Sequence, residues 1–226
     1  MSYYDITKYL IVGKVSKILH PRTHQPRDIH YHVISTRKTR YNKHVKKKGL
    51  LLQIAQLGYP TLRAKSKQIK DVTDPQVQQL IHNLILTVSD VDGVGIAAVQ
   101  VYQPVRLFIV ASHPNPRYPT APTMKPTAII NPEILSFSGK KVKDWEGCLS
   151  VPGIRGYVPR YTSITVTYTT QKGTKVKRRF ADFIARIFQH EYDHLNGIVF
   201  LDRLESTKDI VTEKEYQRLL KRPKKD

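Results

Sequence analysis

The apolar residues that follow Pro75 recur with the spacing of a helix. The positions i, i+3, i+4 and i+7 are occupied by Val77, Leu80, Ile81, Leu84, Ile85 and Val88. Asp74 is suited to cap the helix N-terminus, and Pro75 suits its first position. Asp92-Gly93 suits its end. The pattern therefore predicts an amphipathic helix from Pro75 to about Asp92.

Short apolar runs and alternating segments predict a set of strands. These strands are expected at 107–111, 127–131, 133–137, 163–169 and 174–180. The last two should form a hairpin around Gln171-Lys172-Gly173, whereas the five prolines of residues 112–126 predict a surface loop.

A second helix is predicted from about Asp182 to His194, ending near Gly197. Its buried face would consist of Phe183, Ile184, Ile187 and Phe188. A basic helix is expected at 208–222. Because helices and strands do not alternate regularly, we expect an α+β fold with a mostly antiparallel sheet.

Positive charge is concentrated at the start of the chain. The 226 residues contain 38 Lys and Arg against 18 Asp and Glu, a net charge of +20, and residues 1–48 hold 12 of the basic but 2 of the acidic residues. Such an arm attracts polyanions such as RNA, although a solvated tail is the alternative. We expect a basic extension at 1–48 that could be flexible, a compact domain at 49–205, and a basic tail or helix at 206–226.

Composition excludes several classes of protein. The single cysteine, Cys148, excludes an intrachain disulfide and favours a reducing compartment. No apolar run approaches the ~18 residues of a membrane span, so no membrane association is expected. The N-terminus lacks a signal-peptide pattern and is poor in the serine of transit peptides. We expect a cytoplasmic protein, with an organellar location as the less favoured alternative.

The strongest chemical pattern is His190-Glu191-Tyr192-Asp193-His194, an H-E-x-x-H motif within the second predicted helix. Positions i and i+4 share one helix face, so His190 and His194 can reach one metal ion, with Glu191 beside it.

Three residue types could complete such a site, which needs a third protein ligand. The histidine of the longer H-E-x-x-H-x-x-G-x-x-H pattern is absent, because position 200 is Phe200. Glu213 and Glu215 are candidates of the thermolysin type, and Cys148 is the third option.

The glycine segment Gly93–Gln100 contains G-x-G-x-x-A but follows a helix and precedes a strand, which argues against a nucleotide cofactor. Its small residues instead favour close approach of a substrate chain, and Gln100 offers an amide to a developing oxyanion.

Gly93–Gln100, Glu146–Ser150 and Gln189–Gly197 together resemble the three signature motifs of peptide deformylases, in the family's order. The resemblance covers about residues 49–205. Three features depart from it: Asp182 replaces a glycine that is common before the metal-binding helix, the proline-rich loop at 112–126 is long, and residues 1–48 have no counterpart.

The resemblance implies an α+β fold with antiparallel sheets around a central metal-binding HExxH helix. It implies a hydrolase that removes the formyl group from the N-terminal formylmethionine of nascent polypeptides and releases formate. It implies one divalent metal ion, Fe(II) first and Zn(II) or Ni(II) as substitutes, held by Cys148, His190 and His194. The family also suggests transient contact with the ribosome through basic tails.

The resemblance also implies roles for other residues. Glu191 would move the proton, and Gln100 with the backbone N–H of Leu149 would form the oxyanion hole. The peptide backbone and the methionine side chain would contact Val94, Gly95, Gly147, Arg155, Phe183 and Ile187. A general zincin peptidase and a basic RNA- or ribosome-binding protein with a vestigial site remain the alternatives.

Overall fold

The computed structural model of the chain describes residues 49–221, which lie within one compact unit, Lys46–Asp226. The predictions for the extension at 1–48 and for the end of the basic tail lie outside the described residues. Within the described range, no helix combines the length and the apolar character that a membrane crossing requires.

Among residues 49–221, six antiparallel strands form one sheet. The strands are β1 (Gly95–Ala97), β2 (Leu107–Val110), β3 (Thr127–Cys148), β4 (Val151–Thr169), β5 (Lys175–Ala181) and β6 (Ile210–Thr212). Strands β1 to β5 lie side by side in sequence order, and β6 pairs with β4 at 154–156. The expected α+β class with an antiparallel sheet is confirmed.

Three α-helices occur in the described residues: α1 (Pro75–Asp90), α2 (Asp182–His194) and α3 (Glu213–Lys221). Short 3-10 helices span Pro60–Arg63, Ala98–Val101, Phe200–Arg203 and Thr207–Asp209. The first predicted helix is confirmed together with its cap, since the Asp74 carboxylate accepts a hydrogen bond of 2.6 Å from the backbone N–H of Gln76.

The last helix begins at Glu213 rather than at residue 208 as predicted. Thr207–Asp209 forms a 3-10 turn, and the next three residues pair with β4 as β6. The helical pattern of the tail does not reveal this pairing because the partner strand lies more than 50 residues earlier in the chain.

Strand β3 is longer than predicted and joins the two short strands expected at 127–131 and 133–137. Its segment 136–143 is almost wholly exposed, and its two large apolar residues, Phe137 and Val142, are five positions apart, so it shows no alternation. Hydrogen bonds to β4 hold that segment in the sheet despite its composition. The predicted hairpin is confirmed by the β4–β5 pairing, although β4 extends back to Val151.

Helix α2 packs its apolar face against the sheet. Ala185 and Phe188 lie in one buried cluster with Ile164 and Val166 of β4 and Phe180 of β5. Burying each large apolar side chain contributes about 1.5–3 kcal/mol, which fixes the helix on the sheet. The first helical residue, Asp182, has φ +50°, a left-handed conformation that glycine adopts without strain.

Candidate active site

The fold brings Cys148, His190 and His194 together. Cys148 is the last residue of β3, and the two histidines lie one turn apart on α2. One ligand atom from each residue lies within 4.8 Å of the others. Cys148 Sγ and His194 Nε2 are 3.3 Å apart. One thiol and two imidazoles therefore converge on a single point.

The protonation of this cluster suits a cation. Burial and the neighbouring charges hold the pKa of His194 well below its ordinary value, so the ring is neutral and able to ligate. Burial also opposes protonation of His190, but Cys148 and Glu146 outweigh it and raise the pKa of that ring. The neighbours of His190 thus attract positive charge. A thiolate with two imidazoles is a ligand set suited to zinc or ferrous iron.

The other candidate third ligands are not part of this cluster. Glu213 is paired with Arg155, and Glu215 is paired with Arg218 on the surface of α3. Phe200, at the position of a third histidine in the longer motif, stacks on His190 with 6.1 Å between ring centroids.

Glu191 is almost fully buried beside the cluster, at 4% exposure. Its Oε2 atom has no hydrogen-bond partner among the described residues. Burial raises the pKa of Glu191 to about 7. Gly95 of β1 makes room for this carboxyl, since a Cβ built there would lie 2.5 Å from Oε1. The carboxyl is thus placed to exchange a proton near neutral pH.

The Gln100 side chain is held in one orientation. Its Oε1 accepts a hydrogen bond of 2.8 Å from the backbone N–H of Ala97. Its Nε2 therefore faces the cluster and lies 3.1 Å from Ser150 Oγ and 3.5 Å from Cys148 Sγ. Ser150 was not among the predicted residues, and its contact with Gln100 fixes the amide from the other side.

A buried network of charges supports His190. The Glu146 carboxylate accepts hydrogen bonds of 2.9 and 3.0 Å from Arg160 and of 2.9 Å from Arg186, and its Oε2 lies 2.9 Å from His190 Nδ1. Burial opposes ionisation of Glu146, but Arg160 and His190 hold its pKa far below the ordinary value. The carboxylate accepts from Nδ1–H, which leaves His190 Nε2 free to face the cluster.

The same network includes Asp193, near the C-terminal end of α2. Asp193 bonds to Arg160 and also to Arg203, whose Nη2 lies 2.6 Å from Asp193 Oδ1. None of these charged side chains was predicted as a site residue, because charge usually indicates a surface position. Glu146 and Asp193 each lie within a motif, two residues before Cys148 and one before His194, whereas nothing in the sequence connects Arg160 or Arg203 with the site.

A cavity of about 480 Å³ opens next to the cluster. The predicted residues that line it are Val94, Gly95, Gln100, Gly147, Cys148, Leu149, Arg155, Phe183, Ile187, His190 and Glu191. His194 lies deeper and is fully buried. Residues from three widely separated parts of the sequence therefore share one wall.

Tyr118, which was not predicted, and Glu213, which was predicted only as a candidate metal ligand, also line this cavity. Both bind Arg155, which is only 2% exposed: its Nη1 donates to Tyr118 Oη at 2.9 Å and its Nε to Glu213 Oε2 at 2.6 Å. The Arg155 charge is thus already paired, so this side chain shapes the wall through its partners.

The sequence model of the polypeptide deformylase family matches residues 51–209 of this chain. Peptide deformylase 2 of Nostoc sp. is 58% identical over 170 residues, which cover 75% of this chain and 95% of the relative. Peptide deformylase 2 of Shewanella oneidensis is 44% identical over 152 residues, which cover 67% of this chain and 83% of the relative.

Solved structures show the same likeness. The Met-Ala-Ser-bound class I type b peptide deformylase of Acinetobacter baumannii superposes with a TM-score of 0.68 at 43% identity, covering 70% of this chain and all of that one. A peptide deformylase of Synechococcus elongatus in complex with actinonin gives a TM-score of 0.63 at 31% identity, covering 75% of this chain and 88% of that one.

Proposed function

The chain belongs to the polypeptide deformylase family, and we propose that Cys148, His190 and His194 hold its divalent metal ion. The protein is a hydrolase that removes the N-formyl group from nascent polypeptides. The observation that carries the proposed ligand set is the convergence of one thiol and two imidazoles beside a buried carboxyl.

Glu191 is the proton carrier in this proposal. A bound divalent ion supplies Lewis acidity, which lowers the pKa of water and polarises the formyl carbonyl. The Glu191 carboxylate accepts a proton from the water that attacks the formyl carbon. It returns this proton to the amine nitrogen as the C–N bond breaks, so that formate and a free amine are the products. Its burial and its pKa of about 7 favour transfer in both directions.

Gln100 and Leu149 stabilise the oxyanion that forms from the formyl oxygen. The Gln100 amide is oriented by Ala97 and Ser150, so the N–H that is not bonded to Ser150 is already directed into the site. Such preorganised donors are typically worth about 3–4 kcal/mol of transition-state stabilisation. The backbone N–H of Leu149 is the second donor in this proposal.

The cavity accommodates the first residue of the peptide. Val94, Gly95 and Gly147 contact the peptide backbone, and Phe183 and Ile187 contact the methionine side chain. All five line the cavity. Arg155 forms the part of the cavity wall beside Gly147. The two residues are in close contact, because a Cβ built at Gly147 would lie 2.8 Å from Arg155 Nη1.

The metal in this proposal is Fe(II), with Zn(II) or Ni(II) as functional substitutes. A single thiolate with two imidazoles serves all three ions. The proposed location is the cytoplasm of a bacterial cell, where formylated chains emerge from the ribosome. Transient contact with the ribosome through the basic segments 1–48 and 206–226 would bring the enzyme to its substrate.

Formate release from formyl-Met-Ala-Ser by Ni(II)-loaded protein tests the assignment of Glu191. We expect Glu191→Gln to retain its metal and to lose about 10²–10⁴-fold in rate. Glu133→Gln, an exposed glutamate on β3, is the matched control and should retain full rate. A Glu191→Gln enzyme within a few-fold of wild type would remove the proton-carrier role. Cleavage of unformylated peptides would instead favour a general peptidase.

A further inference from the structure

Strand β5 and the turn before it carry a concentrated positive charge. Residues 172–179 contain five basic side chains and no acidic one, and all five are exposed: Lys172, Lys175, Lys177, Arg178 and Arg179. Within residues 49–221, no ion pair involves any of these five. This charge is therefore presented to solution, unlike that of the buried arginines around the active site.

The strand register arranges three of these cations in a row. Arg179 pairs with Thr165, Lys177 with Thr167, and Lys175 with Thr169. Cross-strand partners point to the same face of a sheet, and alternate residues of a strand are about 7 Å apart. We call this surface the β5 basic face. It consists of three cations beside three threonine hydroxyls. Arg179 Nε also donates to Ser163 Oγ at 2.8 Å, and Glu133 of β3, on the far side of β4 from the cations, pairs with Thr167.

The opposite side of the same strands packs inward. Ile164, Val166 and Phe180 belong to the buried cluster that contacts α2. Strand β5 lies at the edge of the sheet, with β4 as its neighbour among the described strands. None of the five cations lines the catalytic cavity. A partner on the β5 basic face would therefore leave the cavity open to a peptide.

We propose that the β5 basic face binds the phosphate backbone of RNA. Evenly spaced Lys and Arg side chains beside hydroxyl donors are the groups that contact phosphates in nucleic-acid complexes. A row of cations suits a polymer of phosphates better than one isolated anion. The face consists of Lys, Arg and Thr side chains, so binding depends on the backbone and not on base sequence. The inference does not depend on the metal site.

Binding of the full-length protein to a short labelled RNA duplex tests this proposal, followed by fluorescence anisotropy between about 50 and 200 mM salt. The slope of log K against log salt is negative, and we expect Lys175→Glu/Lys177→Glu to reduce its magnitude by about 2, because two phosphate contacts are lost. Lys65→Glu/Lys67→Glu makes the same change of charge at two exposed lysines without ion pairs and should keep the wild-type slope. Both variants should deformylate formyl-Met-Ala-Ser normally.

Amide hydrogen exchange of the full chain gives a second readout. RNA should slow exchange at Lys175–Ala181 in the wild type and in the control variant. Equal salt slopes for the two variants, or protection confined to residues 1–48, would overturn the proposal. Preference for polyglutamate or anionic vesicles over RNA would overturn it as well, and would assign the face to an acidic protein or a lipid surface.

Discussion

Arg155 of β4 and Glu213 of α3 form a two-point ion pair at the wall of the catalytic cavity. The Nε–Oε2 and Nη2–Oε1 distances are 2.6 and 3.3 Å. The guanidinium also lies 4.8 Å from the ring centroid of Tyr216, which follows Glu213 on α3. The C-terminal helix is thus attached to the wall of the substrate site by charge and by ring contact.

Replacing Glu213 with Gln should weaken substrate binding. The Arg155 guanidinium would lose its anchor beside Gly147, so we expect the KM for formyl-Met-Ala-Ser to rise about three- to tenfold while kcat changes little. The matched control is Glu215→Gln, because Glu215 pairs with Arg218 at the surface. A fall in kcat at constant KM would show that Glu213 acts on the chemistry instead.

The same pair should make stability depend on pH. Burial opposes ionisation of Glu213, but hydrogen bonds from Arg155 and Gln217 outweigh it and lower its pKa below the ordinary value of 4.5. A carboxyl with a depressed folded-state pKa stabilises the fold above its unfolded-state pKa, and this contribution is lost as pH falls through the folded-state value. The Tm difference between wild type and Glu213→Gln should hold from pH 7 to about 5 and shrink below about 4. A difference that grows in acid would contradict the pairing.

Gly95→Ala should separate chemistry from stability. The added Cβ would meet Glu191 Oε1 at 2.5 Å and its Cδ and Cγ at 3.0 Å, so the side chain must shift, but the closest contact is with its flexible end. We therefore expect a small change in Tm and retained metal but a loss of about 10²-fold in kcat, because the carboxyl is displaced. Deformylation at a rate near wild type would show that the Gly95 position tolerates a methyl group.

Glu146→Gln should affect both stability and metal binding. The substitution leaves Arg160 and Arg186 without their shared carboxylate in a buried site, which typically costs about 3–5 kcal/mol. His190 would also lose the charged acceptor of its Nδ1 proton, so metal affinity should fall about 10–100-fold. Thermal unfolding and competition with a metal-sensitive dye measure the two effects. If Glu146→Gln behaves like the exposed Glu133→Gln, the network has no supporting role.

The sequence predicted the elements with local patterns and missed those that depend on distant pairing. Helix α1 followed from its apolar spacing and from Asp74. The exposed part of β3 and the short strand β6 have no such pattern, since hydrogen bonds to β4 make them strands.

The candidate site shows the same division. The HExxH motif placed two histidines on one helix face, and the structure places Cys148 beside them. Residue spacing did not exclude Glu213 as the third metal ligand, because spacing along the chain does not show which distant side chain contacts α2. Glu213 instead binds Arg155. The network of Glu146, Arg160 and Asp193 was not predictable either, since its members meet only after folding.

X-ray absorption at the zinc edge tests the proposed metal site most directly. Protein loaded with one equivalent of Zn(II) should show one sulfur at about 2.3 Å and imidazole nitrogens at about 2.0–2.1 Å. Cys148→Ser should lose the sulfur and keep the imidazoles. A native spectrum with only nitrogen and oxygen neighbours, or a sulfur that persists in Cys148→Ser, would contradict a site built from Cys148, His190 and His194.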